Sequence, residues 1–323
     1  MRDAVGREIL YLRLSMTREC GMRCLYCRPR NMRAGSGGAP LGPDDIRDLV
    51  AFLVEHHGLT KARLTGGEPT VRSDLPEIIR RLASIDGLRE LAMTTNGLTL
   101  ARDAGALADA GLTRVNISLD SLDPRTFERI TGTPGLQRVL AGIEAAVAAG
   151  LTPVKLNTVV LRDVNDGELP ELVRFASERG LEIRFIELMP MGPLADRWGD
   201  RFVSELRMRS RLADVVTAWR DRNRIRGDSA RRYQAELVGG ARAAVGFITP
   251  MSCPFCDRCD RIRVASDGTW YPCLMGPPAG SLLPALRPRF RGTTLDRLLQ
   301  SGLKRKAVEP SSAGLVLMTD LGG

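Results

Sequence analysis

Seven cysteines in 323 residues fall into two groups, Cys20, Cys24 and Cys27 near the start and Cys253, Cys256, Cys259 and Cys273 near the end. The first three have the spacing C-x3-C-x2-C and follow a short apolar run, Ile9 to Leu14. Three thiolates on one tight loop can each take a corner iron of a [4Fe–4S] cube. A cube held wholly by protein uses four cysteines, so three leave one iron open, as a catalytic zinc keeps one position open. A structural zinc wants four ligands, one C-x2-4-C pair answered by another. No fourth thiol or histidine lies near this triplet in sequence, and the only histidines are His56 and His57. The spacing favours a cluster with a free iron over a zinc loop or scattered reduced thiols.

The later group reads Cys256-Asp-Arg-Cys259-Asp-Arg261-Ile-Arg263, then Asp267-Gly268, then Trp270-Tyr-Pro-Cys273. Asp-Gly between alternating runs signals a hairpin, which returns Cys273 to Cys256 and Cys259. A second metal site follows, and four cysteines in this stretch can also hold zinc as a ribbon. Arg261 and Arg263 are two apart on a strand and share one face. An odd number of thiols in two clusters argues for metal and against a disulfide framework.

These residues need elements to position them. Strand-like runs cover Ile9–Leu14, Lys61–Thr65, Arg89–Met93, Val115–Leu119, Val154–Leu161 and Glu182–Leu188, with helical patterns between them. Ile46, Leu49, Val50, Leu53 and Val54 share one helix face, opened by Pro43 and stopped by Gly58. Leu136, Val139, Leu140, Ile143 and Val147 repeat that pattern. Six strand–helix units predict an α/β fold with a parallel sheet. Six are too few for a closed eight-stranded barrel, so a partial (β/α)6 TIM-type barrel is expected. After about Asp200 the rhythm stops. Met208–Ala218 reads as a helix, and Tyr233–Val238 and Ala243–Ile248 as strands. The expected division is 1–200 for the barrel and 201–323 for an α+β extension.

Ligands of such sheets bind at the carboxyl ends of the strands. Thr65-Gly66-Gly67-Glu68-Pro69 lies there, with glycines that allow close backbone approach and a carboxylate for an ammonium group. Thr94-Thr95-Asn96-Gly97, Asn116 to Ser121, and Glu187-Leu188-Met189-Pro190-Met191 follow or end further strands, and Lys155 and Asn157 lie on the fifth. Gly35–Gly38 reads as a loop after the first triplet.

The formal net charge is +9, from 47 Lys+Arg against 38 Asp+Glu. That suits a nucleic-acid or other polyanionic substrate. Aromatic content of 5%, with no basic stretch interleaved, speaks against a single-strand stacking platform. MRDAVGREI has no apolar signal core, and no run of 18 or more apolar residues occurs. A soluble, cytoplasmic protein without membrane or nucleic-acid partners is expected.

C-x3-C-x-Y-C after a first strand resembles the radical S-adenosylmethionine (SAM) enzymes, in which the open iron holds SAM. The resemblance extends further. C-x2-C-x-R-x-R with a third cysteine after thirteen residues, TGGEP-x2-R, TTNG, NISLDSL, K-x-N, IELMPMG and the terminal Gly322-Gly323 are similar to the MoaA family, the GTP 3',8-cyclases of molybdenum cofactor biosynthesis. It implies two [4Fe–4S] clusters, on Cys20, Cys24 and Cys27 and on Cys256, Cys259 and Cys273. It implies SAM contacts at Tyr26, Gly66, Gly67, Glu68, Ser118 and Met189. GTP contacts fall on Arg13, Arg63, Thr94, Lys155, Arg261 and Arg263. Catalytic parts fall to Arg13, Arg261, Arg263, Gly322 and Gly323. Implied partners are GTP, a reductase or a flavodoxin- or ferredoxin-type electron donor, a downstream cyclic pyranopterin monophosphate synthase, and a second copy in a homodimer. Gly21, Arg18-Glu19 and Arg28 depart from the family pattern, and Cys253 is extra. A paralogue acting on another nucleotide or a peptide with a relay cluster stays open, as does a zinc-ribbon nucleic-acid binder.

Overall fold

The computed structural model describes residues 1–28, 38–222 and 227–307. Strands and helices alternate through the first two thirds: β1 (Tyr11–Ser15), α1 (Pro43–His57), β2 (Lys61–Thr65), α2 (Leu75–Ala83), β3 (Glu90–Thr95), α3 (Leu100–Asp109), β4 (Arg114–Ser118), α4 (Pro124–Thr131), α5 (Leu136–Ala148), β5 (Lys155–Val160), α6 (Leu169–Glu178) and β6 (Glu182–Glu187). Each element follows its local sequence. In α1 the stripe Ile46, Leu49, Val50, Leu53 and Val54 is buried, Pro43 opens the helix, and Gly58 ends it at φ +67°. In β1 Leu12 and Leu14 are fully buried, while Tyr11 and Arg13 point into a cavity on the other face, the two-residue period of a strand.

The later elements are α7 (Trp198–Arg201), α8 (Glu205–Arg211), β7 (Val216–Asp221), β8 (Ala230–Leu237), β9 (Arg242–Ile248), β10 (Arg261–Val264), β11 (Thr269–Tyr271), β12 (Gly280–Ser281), α9 (Leu283–Leu286) and α10 (Gly292–Leu303). The helix expected over Met208–Ala218 stops at Arg211, and Val216 begins a strand. Val215, Val216 and Thr217 are β-branched, and such side chains pack best on a pleated surface.

The twelve strands of the described residues form one open mixed sheet, ordered β12-β11-β10-β1-β2-β3-β4-β5-β6-β9-β8-β7. The six expected parallel strands are its centre. Strand β10 adds in parallel beside β1, and β9 in parallel beside β6. The C-terminal part therefore extends both edges of the same sheet. The Asp267-Gly268 turn makes the expected hairpin, with Arg263 opposite Tyr271 and Val264 opposite Trp270. No helix of the described residues is long and apolar enough to cross a membrane.

Candidate active site

The loop carrying Cys20, Cys24 and Cys27 leaves the end of β1 and is held from two sides. Gly67 N–H donates to Thr17 O at 2.7 Å and Glu68 N–H to Glu19 O at 2.7 Å. From the other side Arg23 N–H donates to Thr131 O at 2.7 Å and Leu25 N–H to Ile130 O at 2.9 Å, at the end of α4. Both glycines of the Gly-Gly-Glu turn serve this contact. A Cβ on Gly67 would overlap the Glu19 carbonyl, and one on Gly66 would come within 2.6 Å of Thr17 O. Their close approach is to the backbone leading into the first cysteine. Gly192 does the same on the far side, where a Cβ would come within 2.8 Å of Tyr26 O.

The three thiols share one electrostatic environment. Burial pushes the Cys24 thiol well up, and Cys27, Asp120 and Cys20 push it further. Burial also raises Cys20, whose sulfur accepts from Asn96 Nδ2 at 3.6 Å. A bound cation reverses that penalty, because a coordinated thiol gives up its proton. Glu68 is 3% exposed. Its carboxylate accepts from Thr70 Oγ1 at 2.8 Å, Thr95 Oγ1 at 2.7 Å and Asn96 N at 2.6 Å. Burial raises its pKa against those donors. Tyr26 lies half-buried in the loop itself, Ser118 ends β4, and Met189 follows β6.

A cavity of about 570 Å³ opens over the sheet, and no described residue of the first cysteine loop is in its lining. Its lining includes eleven Arg and Lys side chains and two carboxylates, Glu90 and Asp228, an excess that calls for a polyanion. Register explains much of the crowding. Arg13 pairs with Arg63 on one side and Arg263 on the other. Burial and Arg263 push the Arg13 guanidinium well below its ordinary pKa. Burial and Arg261 bring Arg263 to about 10, and burial and Arg184 bring Lys155 to about 8. Arg63 donates to the Tyr11 hydroxyl and, at 3.4 Å, to Thr94 Oγ1. Thr94 thus meets the cavity wall through Arg63. Arg261 donates to Gly227 O at 2.9 Å.

Cys256, Cys259 and Cys273 all line this cavity, as does Met189. Burial raises Cys256, and so do Cys273 and Cys259, so the hairpin has returned Cys273 to its partners. Glu187 pins the preceding loop to the end of β6, accepting from Met251 N at 3.1 Å, Ser252 N at 2.9 Å and the Ser252 hydroxyl. Cys253 is exposed and is absent from the cavity lining. Among the described residues no three Cys, His, Asp or Glu side chains converge as a site for a single metal ion.

The sequence reading missed several groups here. Tyr11 receives Arg63, and the Arg63 and Arg261 guanidinium carbons lie 5.8 and 6.0 Å from its ring centroid. Lys306 and Arg184 also line the cavity. Asn157, which the sequence placed on the fifth strand, lines it too, and its buried Oδ1 has no hydrogen-bond partner among the described residues, an acceptor available to a ligand. The Gly322-Gly323 tail and Gly35 to Gly37 lie outside the described residues, and Gly38 is exposed.

Two family models match the chain, the radical SAM superfamily over residues 14–176 and Molybdenum Cofactor Synthesis C over residues 181–311. A GTP 3',8-cyclase of Erythrobacter litoralis is 43% identical over 307 residues, 94% of this chain and 90% of that protein. The chain belongs to the GTP 3',8-cyclase family. Another member, from Moorella thermoacetica, is 44% identical over 280 residues, 85% of this chain and 84% of that one. The GTP 3',8-cyclase 1 of Pseudomonas aeruginosa is 43% identical over 318 residues, 97% and 95% of the two chains. The fold is also that of Streptococcus suis SuiB bound to its precursor peptide SuiA, with a TM-score of 0.61 at 14% identity over 94% of this chain and 71% of that one. Membership in the GTP 3',8-cyclase family decides for a radical SAM enzyme over a zinc-ribbon nucleic-acid binder, and makes SAM and iron–sulfur chemistry its cofactors.

Proposed function

We propose that this protein is a GTP 3',8-cyclase, converting GTP to (8S)-3',8-cyclo-7,8-dihydroguanosine 5'-triphosphate in the first step of molybdenum cofactor biosynthesis. The observation that carries the reading is the cationic cavity lined by the second thiol triplet. Bound at Cys20, Cys24 and Cys27, a [4Fe–4S] cluster with SAM supplies a 5'-deoxyadenosyl radical able to take the ribose H3'. The chain's residues bind and orient. Tyr26, Gly66, Gly67, Glu68, Ser118 and Met189 form the SAM side. Arg13, Arg63, Thr94, Lys155, Arg261 and Arg263 take the triphosphate and ribose, since guanidinium groups pair phosphate oxygens in a bidentate way. Cys256, Cys259 and Cys273 would hold a second cluster, which would supply an iron site for the guanine. Gly322 and Gly323, which lie outside the described residues, are assigned a catalytic part by the family resemblance alone. Enclosure and fixed orientation of the two reacting carbons are what such a site contributes to rate.

Residues 1–200 carry the SAM half and 201–323 the second-cluster half. Around them stand a cytoplasmic reductase or a flavodoxin- or ferredoxin-type donor, a cyclic pyranopterin monophosphate synthase that consumes the product, and a homodimer. Anaerobic product analysis with SAM and dithionite tests the reaction. GTP should give the cyclised triphosphate together with 5'-deoxyadenosine, while ATP and CTP should not. Cyclisation of another nucleotide in preference to GTP would overturn the substrate assignment.

A further inference from the structure

Lys306 follows α10 and is 5% exposed, an unusual place for an ammonium group. It has three protons to donate, and each has an acceptor. One goes to Cys259 Sγ at 3.5 Å, one to Arg261 O at 2.7 Å and one to Pro272 O at 2.6 Å. Those acceptors belong to the two chain segments that carry the second triplet. Arg261 O lies just past Cys259, and Pro272 O directly precedes Cys273. Among the described residues no carboxylate forms an ion pair with Lys306; the buried Asp260 carboxylate feels its charge from further off, and its direct partners are two carbonyls and a thiol.

The backbone around Lys306 is fixed in turn. Arg7 donates to Lys306 O at 3.4 Å and Ala307 O at 2.9 Å, to Asp3 Oδ2 at 2.5 Å, and to Cys256 O. Arg7 is 9% exposed. One buried cation thus holds the Cys256 end of the triplet and the root of Lys306, and the other cation holds the Cys259 and Cys273 ends. The two are linked through the Lys306 backbone.

We infer that Lys306 is a positioning residue for the second thiol triplet, bridging its two segments and supplying the buried positive charge that an anionic cluster on these thiolates would face. The inference rests on the reading of that triplet as a cluster site. Hydrogen bonds to sulfur and local charge set the reduction potential of such clusters. A cation donating to Cys259 favours the more negative, reduced form, so Lys306 raises the potential.

The test uses the full chain with Cys20, Cys24 and Cys27 replaced by serine, leaving the second cluster as the one read by redox titration with electron paramagnetic resonance. Lys306→Met should move its midpoint potential to more negative values, or lose its iron, while Lys306→Arg keeps iron and stays nearer the parent. An unchanged potential and iron content in Lys306→Met overturns the inference and leaves the cluster reading intact. A parent chain that holds zinc or no metal overturns both. Should Lys306→Met fail to fold by circular dichroism, Lys306→Gln drops the charge, keeps two donors, and is read by the same criteria.

Discussion

Tyr26 donates its phenol to Asp120 Oδ2 at 2.7 Å, joining the first cysteine loop to the end of β4. The second oxygen of Asp120 accepts from Val159 N at 2.9 Å, and its backbone carbonyl accepts from Asn165 Nδ2 at 2.7 Å. Burial raises the carboxyl to about 6, against the two hydrogen bonds it receives. The loop that carries three thiols is therefore braced by one side chain that also ties β4 to β5. Asp120→Ala removes the acceptor of the half-buried phenol and of the Val159 N–H, at roughly 1–3 kcal/mol for each group. We expect a stability loss of about 2–4 kcal/mol in denaturant unfolding from this mechanism, and weaker iron retention at the first triplet. Asp120→Asn keeps an acceptor for the phenol and should lose less. An Asp120→Ala protein as stable as the parent would show that the brace carries no energy.

Gly67 offers a sharper contrast. Its missing Cβ is filled by the Glu19 carbonyl, so Gly67→Ala must push the entry to the first triplet away from β2. The second triplet flanks the β10–β11 hairpin, and its local supports come from Glu187, Lys306 and Arg7. Gly67→Ala should therefore lose iron selectively. We expect about four iron atoms per chain in place of about eight for two cubes, with the spectrum of the second cluster preserved. Equal loss from both sites would mean that the substitution unfolds the sheet rather than the loop.

Cys253 sits apart from the three thiols that line the cavity. If three thiolates hold the second cluster and its fourth iron is left for guanine, Cys253→Ala keeps full iron and cyclises GTP. Cys256→Ala should lose second-cluster iron and all cyclised product while still cleaving some SAM in an uncoupled way. Cys24→Ala should lose SAM cleavage itself. Iron loss from Cys253→Ala would instead give a four-thiolate site with no place for the base.

How much of this was legible follows the range of the signal. The strand over Lys61–Thr65 was readable to the residue because its pattern and its boundaries are local. The cysteine spacings were readable for the same reason, and Asp267-Gly268 gave the hairpin that closes the second triplet. The start of β7 was misread because Met208, Leu212 and Val215 also satisfy a helical period, and the tertiary pairing with β8 decided. Lys306 carried no motif. It meets Cys259 across 47 positions of sequence, a contact that depends on α10 packing through Gly302 against Trp270 of β11. Tyr11 was hidden in an ordinary strand, and its role depends on Arg63 and Arg261 arriving from both neighbours. The extension of the sheet at both edges was unreadable because the pairing partners lie about 60 to more than 200 residues away.

Lys155 gives the pH dependence. Burial first, and then Arg184, lower its ammonium from the ordinary 10.5 to about 8, with Glu182 opposing. The sign follows. Between about pH 8 and pH 10.5 the unfolded chain holds the proton that the folded chain has released, so this group makes folding more favourable as pH rises through that window. The destabilisation it causes is greatest below pH 8, where the ammonium is forced to stay charged in a cavity already crowded with guanidinium groups. A triphosphate relieves that crowding by supplying negative charge, and binding should draw a proton onto Lys155. Affinity should therefore fall as pH rises through 8. A simple alkyl triphosphate monoester is the cleaner probe, because it has no base to ionise and its single terminal phosphate completes its ionisation near pH 6. For wild type we expect roughly a 5–10-fold weaker Kd at pH 9 than at pH 7.5 by calorimetry, with proton uptake at the lower pH. Lys155→Arg keeps its charge throughout and should bind with little change over the same range. If the two proteins show the same pH profile, Lys155 does not face the phosphates, and its place in the substrate site would have to be given up.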